Sequence, residues 1–233
     1  MATRTKTGIP GFDQVIQGGL IKNSVNLLSG GTGTGKTIFC LQFLFNGAKE
    51  FNEKGVYLSF EESVEDLKSD AAELGLNFDA VANKVKIIHI PLHNITSVSS
   101  LLKGEISEFK PKRIVIDSLS AIAMPMEDDF ERRKEINIIK EALKNMDCTS
   151  ILISEAPSEG GMGTESIGQF SRFGIEEFMC DSLIVLYYAG IGGESDRAIR
   201  VVKMRRTNHL RGPIPMEIGK LGVTVLKSKF LRH

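Results

Sequence analysis

The chain has no excess of either charge sign: Lys+Arg and Asp+Glu both total 29 in 233 residues. That balance argues against a protein whose main work is electrostatic binding of a polyanion, although a local basic patch can sit within a neutral total. Cysteine is scarce and scattered. Cys40, Cys148 and Cys180 show no C-x-x-C spacing and each lies in an apolar segment. They read as buried free thiols in a reducing cytosol, not as a disulfide frame. The four histidines lack metal-ligand spacing, which excludes a zinc-type site. No apolar run approaches the ~18 residues that a membrane span needs. The first residues, Met1 to Lys6, lack the apolar stretch of a signal peptide. Internal repeats, low-complexity tracts and linkers are absent too. With 42% hydrophobic and 25% charged residues, the composition is that of a globular protein, and residues 1–233 read as one large domain.

One motif stands out against this background. Gly30-Gly31-Thr32-Gly33-Thr34-Gly35-Lys36-Thr37 fits G-x-x-x-x-G-K-[ST], the loop whose backbone amides wrap nucleotide phosphates. Glycines let successive N–H groups converge on an anion. The Lys36 ammonium suits the β- and γ-phosphates, and the Thr37 hydroxyl suits Mg²⁺. An apolar run, Val25–Leu28, feeds the loop. A helical pattern opening at Ile38 leaves it and aims its dipole at the same place. A flexible glycine-rich turn is the bland alternative, and the strand before and helix after speak against it.

Strand-like and helical runs alternate through Ser154. Strands are expected at Val25–Leu28, Gly55–Phe60, Lys86–Ile90, Lys112–Asp117 and Thr149–Ser154. Helices are expected at Lys36–Lys49, Ser63–Leu74, Val98–Phe109 and Phe130–Met146, with Ser63 and Asp66 resembling a capping box. This alternation predicts an α/β fold, a mainly parallel sheet with helices on both faces. After about Ser182 the pattern changes. Leu183–Tyr188, Ala198–Lys203, Pro215–Ile218 and Val223–Leu226 read as strands joined by glycine-rich turns, with a hairpin turn at Ile191–Asp196. Antiparallel strands are therefore expected to extend the sheet at its C-terminal end.

Four further segments can carry chemistry. Asp117 ends an apolar strand and can complete a magnesium shell with Thr37. Glu61 and Glu62 follow the strand Gly55–Phe60; if that strand neighbours the loop-bearing one, either carboxylate can orient an attacking water. Otherwise they form an acidic helix start. Lys203–His209 is a basic run at a strand end, either a solvated edge or a charge delivered to a phosphate, including one on another subunit. Pro157–Arg172 is a long glycine- and serine-rich loop on the ligand side of the sheet, suited to polynucleotide contact or to communication between subunits.

Several of these runs together resemble the KaiC-like branch of the RecA superfamily. The lead-in Thr7-Gly8-Ile9-Pro10-Gly11-Phe12-Asp13 with Gly18-Gly19-Leu20 is similar to that of the family. So, in order and spacing, are the loop, Phe60-Glu61-Glu62, Ile116-Asp117-Ser118, Ser171–Phe178 and Lys203–His209. The resemblance implies a RecA-like P-loop NTPase core that binds ATP and Mg²⁺ and assembles as a homo-oligomeric ring, commonly a hexamer, with ATP between neighbours. It implies Gly31, Thr32, Gly33, Thr34, Gly35, Lys36, Thr37 and Ile38 as the nucleotide loop and Glu61 and Glu62 as catalytic carboxylates. Lys203 and Arg205 would reach the neighbour's γ-phosphate, and Met204, Thr207 and His209 would line the same nucleotide. Two departures stand out. Glu177 and Phe178 occupy the positions of the family's autophosphorylated pair, and Gly219 and Lys220 replace a Thr-Asp near the nucleotide.

The leading expectation is a slow cytoplasmic ring ATPase that regulates an unknown protein partner through its nucleotide state. Two alternatives stay open: a DNA-binding recombination or helicase accessory protein, which the neutral charge and the poorly basic Pro157–Arg172 loop disfavour, and a self-phosphorylating kinase.

Overall fold

The computed structural model describes residues 2–92, 97–156, 170–188 and 197–226. The expected turn at Ile191–Asp196 and most of the Pro157–Arg172 loop lie outside them. Four short elements open the chain or follow its edges: β1 (Arg4–Thr5), α1 (Phe12–Val15), β2 (Leu20–Ile21) and a 3-10 turn (Phe78–Val81). The expected strands appear as β3 (Val25–Gly30), β4 (Gly55–Ser59), β5 (Val85–His89), β6 (Arg113–Asp117) and β7 (Thr149–Glu155). The expected helices appear as α2 (Lys36–Glu50), α3 (Val64–Glu73) and α7 (Asp129–Asn145), with the short α6 (Leu119–Ala123) between β6 and α7. The helix expected at Val98–Phe109 is not continuous. It runs as α4 (Val98–Leu101), a π turn (Leu102–Ile106) and α5 (Ser107–Phe109), because Gly104 takes a non-helical conformation at φ −87°, ψ −121°. After α8 (Glu176–Met179) come β8 (Ser182–Tyr188), β9 (Arg197–Met204), β10 (Ile214–Gly219) and β11 (Gly222–Val225).

Among the described residues the main sheet has nine strands in the order β11-β10-β9-β8-β3-β7-β6-β4-β5. From β5 to β8 all neighbours are parallel, and β9 to β11 continue antiparallel. The antiparallel extension therefore begins one strand later than expected: β8 lies parallel beside β3. The parallel strands bury both faces. In β6, Val115 points into one core with α2 and α3, while Ile114 and Ile116 point into the other with Ile136, Ile139 and Leu143 of α7. Such two-sided burial is why these strands read as unbroken apolar runs.

Side chains cap α3 and α7, the first as the Ser63–Asp66 signal implies. Ser63 accepts from the Asp66 amide at 3.1 Å and donates to the Asp66 carboxylate at 2.7 Å. Asp128 accepts from the Glu131 amide at 2.8 Å at the start of α7. The lead-in is a structural brace. Asp13 accepts from the Thr7 hydroxyl at 2.7 Å and amide at 2.9 Å, and Phe12 packs edge-on to Phe39 of α2. These contacts hold the helix that follows the glycine-rich loop.

Candidate active site

The site begins at Gly30, the end of β3. The loop beyond it turns through two left-handed glycines, Gly33 at φ +74° and Gly35 at φ +101°, a conformation that costs other residues ~1–2 kcal/mol. Among the described residues, the backbone amides from Thr32 to Thr37 donate to no other group. Gly35 caps α2 without a side-chain hydrogen bond. A row of free donors thus stands where the helix dipole also favours an anion, which fits a phosphate chain. The Lys36 ammonium folds back on the Gly31 carbonyl at 2.8 Å. Burial draws it below the ordinary lysine value, while Asp117, Glu155 and Glu61 oppose that fall. Ile38 is partly buried against the core.

Asp117 ends β6 within hydrogen-bonding reach of Thr37. The fully buried Tyr57 phenol donates to it at 2.5 Å. Burial is the first reason that the Asp117 carboxyl lies above the ordinary aspartate range. A hydroxyl beside a carboxylate can supply two protein oxygens to Mg²⁺, a cation that takes the rest of its octahedral shell from phosphates and water. No cluster of three or more His, Cys, Asp or Glu suited to a metal occurs among the described residues, as such a site requires none.

The acidic pair arrives by a route that differs from the sequence premise. β4 does not neighbour β3; β7 and β6 lie between them. Instead β4 runs parallel to β6 with Ser59 level with Asp117, so the turn after β4 falls beside that aspartate. Ser59 holds the turn, donating to the Glu62 carbonyl at 2.7 Å and accepting from its amide at 3.0 Å. Ser118 donates to the Glu61 carboxylate at 3.3 Å. Partial burial raises the Glu62 carboxyl above the ordinary range, and Asp117 and its acidic neighbours add to the rise. A carboxylate made more basic in this way is suited to accept a proton from water.

Residues 5–230 match a family model described as "ATPase: KaiC". The chain belongs to the KaiC family of ATPases. It is 32% identical over 231 residues to the circadian clock oscillator protein KaiC of Parasynechococcus marenigrum, covering 94% of this chain and 44% of the relative. KaiC of Nostoc sp. is 32% identical over 234 residues, covering 95% and 44%. The chain thus spans less than half the length of these curated relatives. Among solved structures, a KaiC-like protein from the archaeon Pyrococcus horikoshii OT3 superposes with a TM-score of 0.83 at 35% identity, covering 97% of this chain and 100% of that one.

In this KaiC-family chain the basic run does not join its own loop. Asn26 is level with Ser182, and Ser182 faces Met204. At ~3.3 Å per residue the end of β9 therefore lies about 13 Å down the sheet from Gly30, at the opposite edge. Lys203 donates to the Cys180 carbonyl at 2.9 Å and the Glu177 carbonyl at 3.3 Å, and burial lowers its ammonium below the ordinary value. Met204 is buried in the core, so only its backbone is presented. Thr207 accepts from Arg4 at 3.2 Å, and the His209 ring meets the Leu210 carbonyl at 3.0 Å. Arg205 is exposed and forms no side-chain hydrogen bond or ion pair among the described residues.

Glu155 was not singled out by sequence. β7 pairs with β3 so that Glu155 lies opposite Gly30, close enough to act on Lys36, and it forms an ion pair with Arg172. Its signal was a carboxylate at a strand end; that this strand flanks β3 is information the local pattern does not hold.

Proposed function

We propose that this chain is a Mg²⁺-dependent ATP hydrolase working as a ring, with each ATP held between two subunits. The observation that carries the reading is the meeting of the free loop amides, Lys36, Thr37 and Asp117 with the Glu61–Glu62 turn at one edge of the sheet. The loop amides and Lys36 bind the phosphate chain, and Ile38 follows them on the first turn of α2. Thr37 and Asp117 would hold Mg²⁺, which would supply positive charge against that developing on the phosphates. Glu62, with Glu61 beside it, orients a water and takes its proton as the water oxygen bonds to the γ-phosphorus and the bond to ADP breaks. The position of Lys203–His209 supports a role on a neighbour: the run is remote from its own loop, and among the described residues the exposed Arg205 guanidinium forms no hydrogen bond or ion pair. In that reading Lys203 and Arg205 stabilise charge on the neighbour's γ-phosphate, with Met204, Thr207 and His209 lining its nucleotide. We assign the ring a regulatory role in the cytosol, its nucleotide state setting its affinity for a protein partner.

Phosphate release measured with and without Mg²⁺ tests the site. Lys36→Ala, the pair Glu61→Gln/Glu62→Gln, and Arg205→Ala are each expected to reduce turnover at least ~10²-fold, the scale for losing one transition-state contact. Mixing Lys36→Ala with Arg205→Ala subunits is expected to restore part of the rate, because some interfaces then pair an intact loop with an intact arginine. A chain that stays monomeric with ATP while hydrolysing at the full rate would overturn the shared site.

A further inference from the structure

Tyr188 ends β8 and faces Arg197, the first residue of β9, across the ladder. Both turn toward the glycine-rich loop. The Tyr188 hydroxyl donates to the Gly33 carbonyl at 2.9 Å. Arg197 reaches the same carbonyl and the phenol oxygen, each at 3.5 Å, with its guanidinium 5.2 Å from the ring centroid. The phenol lies so close that a Cβ on Gly33 would sit 3.0 Å from its oxygen. None of the catalytic assignments uses this pair. Core burial does not require it either, since Tyr188 is 42% exposed and water can satisfy its hydroxyl.

The contact falls on the one kind of residue whose peptide turns over easily. Glycine adopts positive and negative φ with similar ease, so a peptide beside it can point either way at little cost. In a planar trans peptide the C=O and the following N–H point in opposite directions. Holding the Gly33 carbonyl outward on Tyr188 therefore turns the Thr34 N–H to the other side of the loop. That amide donates to no described group, and the Thr34 side chain is itself tied to the Gly31 carbonyl at 2.9 Å.

We propose that Tyr188, steadied by Arg197, is a positioning residue of the phosphate cradle: it locks the Gly33–Thr34 peptide so that the Thr34 amide is presented to a bound nucleoside di- or triphosphate. The proposal rests on the reading that the Gly30–Thr37 loop holds the phosphates. It assigns Tyr188 a preorganising role, which lowers the cost of ordering the loop on binding.

The test compares wild type, Lys36→Ala, Tyr188→Phe and Arg197→Met as full chains. It measures affinity for a fluorescent ADP analogue with Mg²⁺ at 25 °C, KM and kcat for ATP, and the nucleotide-free unfolding midpoint. Loss of one hydrogen bond of ordinary worth predicts about 3- to 10-fold weaker binding in Tyr188→Phe. A smaller loss in the same direction is expected in Arg197→Met. The ATP effect is expected on KM, with the nucleotide-free midpoint unchanged within ~2 °C. If Tyr188→Phe and Arg197→Met both bind as wild type while Lys36→Ala does not, the positioning role is wrong and the phosphate loop stands. A lowered midpoint with unchanged affinity makes Tyr188 merely structural and also overturns it. Wild-type affinity in Lys36→Ala would overturn the loop reading itself.

Discussion

Burial lifts the Asp117 carboxyl above the ordinary aspartate range. Hydrogen bonds from Tyr57 and Thr37 and the charge of Lys36 pull the other way, and Glu61 adds to the lift. A carboxyl whose folded pKa exceeds its unfolded value favours the native state most when protonated. That contribution is fully present below the ordinary value of 3.8 and is lost as pH rises through the folded value. At neutral pH the ionised side chain therefore costs stability, a cost in keeping with the cation-ligand role proposed for it. Asp117→Asn is expected to raise the nucleotide-free unfolding midpoint at pH 7 by about 2–4 °C, equivalent to ~1 kcal/mol in a chain of this size, while abolishing Mg²⁺-dependent phosphate release. Calorimetry at pH 7 and pH 4 checks both the gain and its decrease in acid. A variant less stable than wild type at pH 7 would contradict the assignment of the cause.

The helix after the glycine-rich loop is pinned at its far end by Arg113. This arginine, the first residue of β6, is 1% exposed. Its guanidinium pairs with Glu53 at 2.6 Å, donates to the Phe43 carbonyl at 2.9 Å and the Lys6 carbonyl at 2.7 Å, and lies 4.5 Å from the Phe43 ring centroid. One side chain so ties α2, the lead-in and the sheet together. Gly47 of α2 leaves room for it: a Cβ there would sit 2.4 Å from Arg113 Nε. Helix propensity alone predicts that Gly47→Ala stabilises by ~1 kcal/mol. The expected outcome is the reverse. The guanidinium is held on several sides and cannot move aside, so overpacking dominates, with a net loss of about 1–3 kcal/mol in chemical denaturation. In the sequence α3 is legible from its period together with the Ser63 cap, and α7 from its period alone. Across Val98–Phe109 the apolar spacing continues through the break at Gly104, so the sequence pattern alone does not mark it.

Across the whole molecule all three thiols are buried. Burial pushes Cys148 and Cys180 each up to about 12 and holds Cys40 well above the ordinary thiol value. Since the thiolate is the reactive form, the native chain is expected to resist a thiol reagent at pH 8 and to label three thiols once unfolded in denaturant. Rapid labelling of native protein would contradict the packing. Among the described residues no helix is long and apolar enough to cross a membrane. The sheet order also separates two groups of residues along the strands. One edge of the parallel strands collects the loop, Asp117, Glu61 and Glu155, whereas the antiparallel return of β9 carries Lys203 and Arg205 to the other.

Most of the regular elements and the phosphate-loop motif can be read from the sequence alone. Apolar runs, caps and the G-x-x-x-x-G-K-[ST] spacing are local properties, read within a few residues of where they act. The sequence likewise placed Asp117 at a strand end and the basic run at another. Which strand ends meet is a property of the folded sheet. It put β7 and β8, not β4, beside β3, brought Glu61 in through Ser118, set Glu155 opposite Gly30 and aimed Tyr188 at Gly33. The reason is that strand order follows from how both faces of the sheet are buried by distant helices. Strands with equivalent apolar patterns carry no local mark of their neighbours.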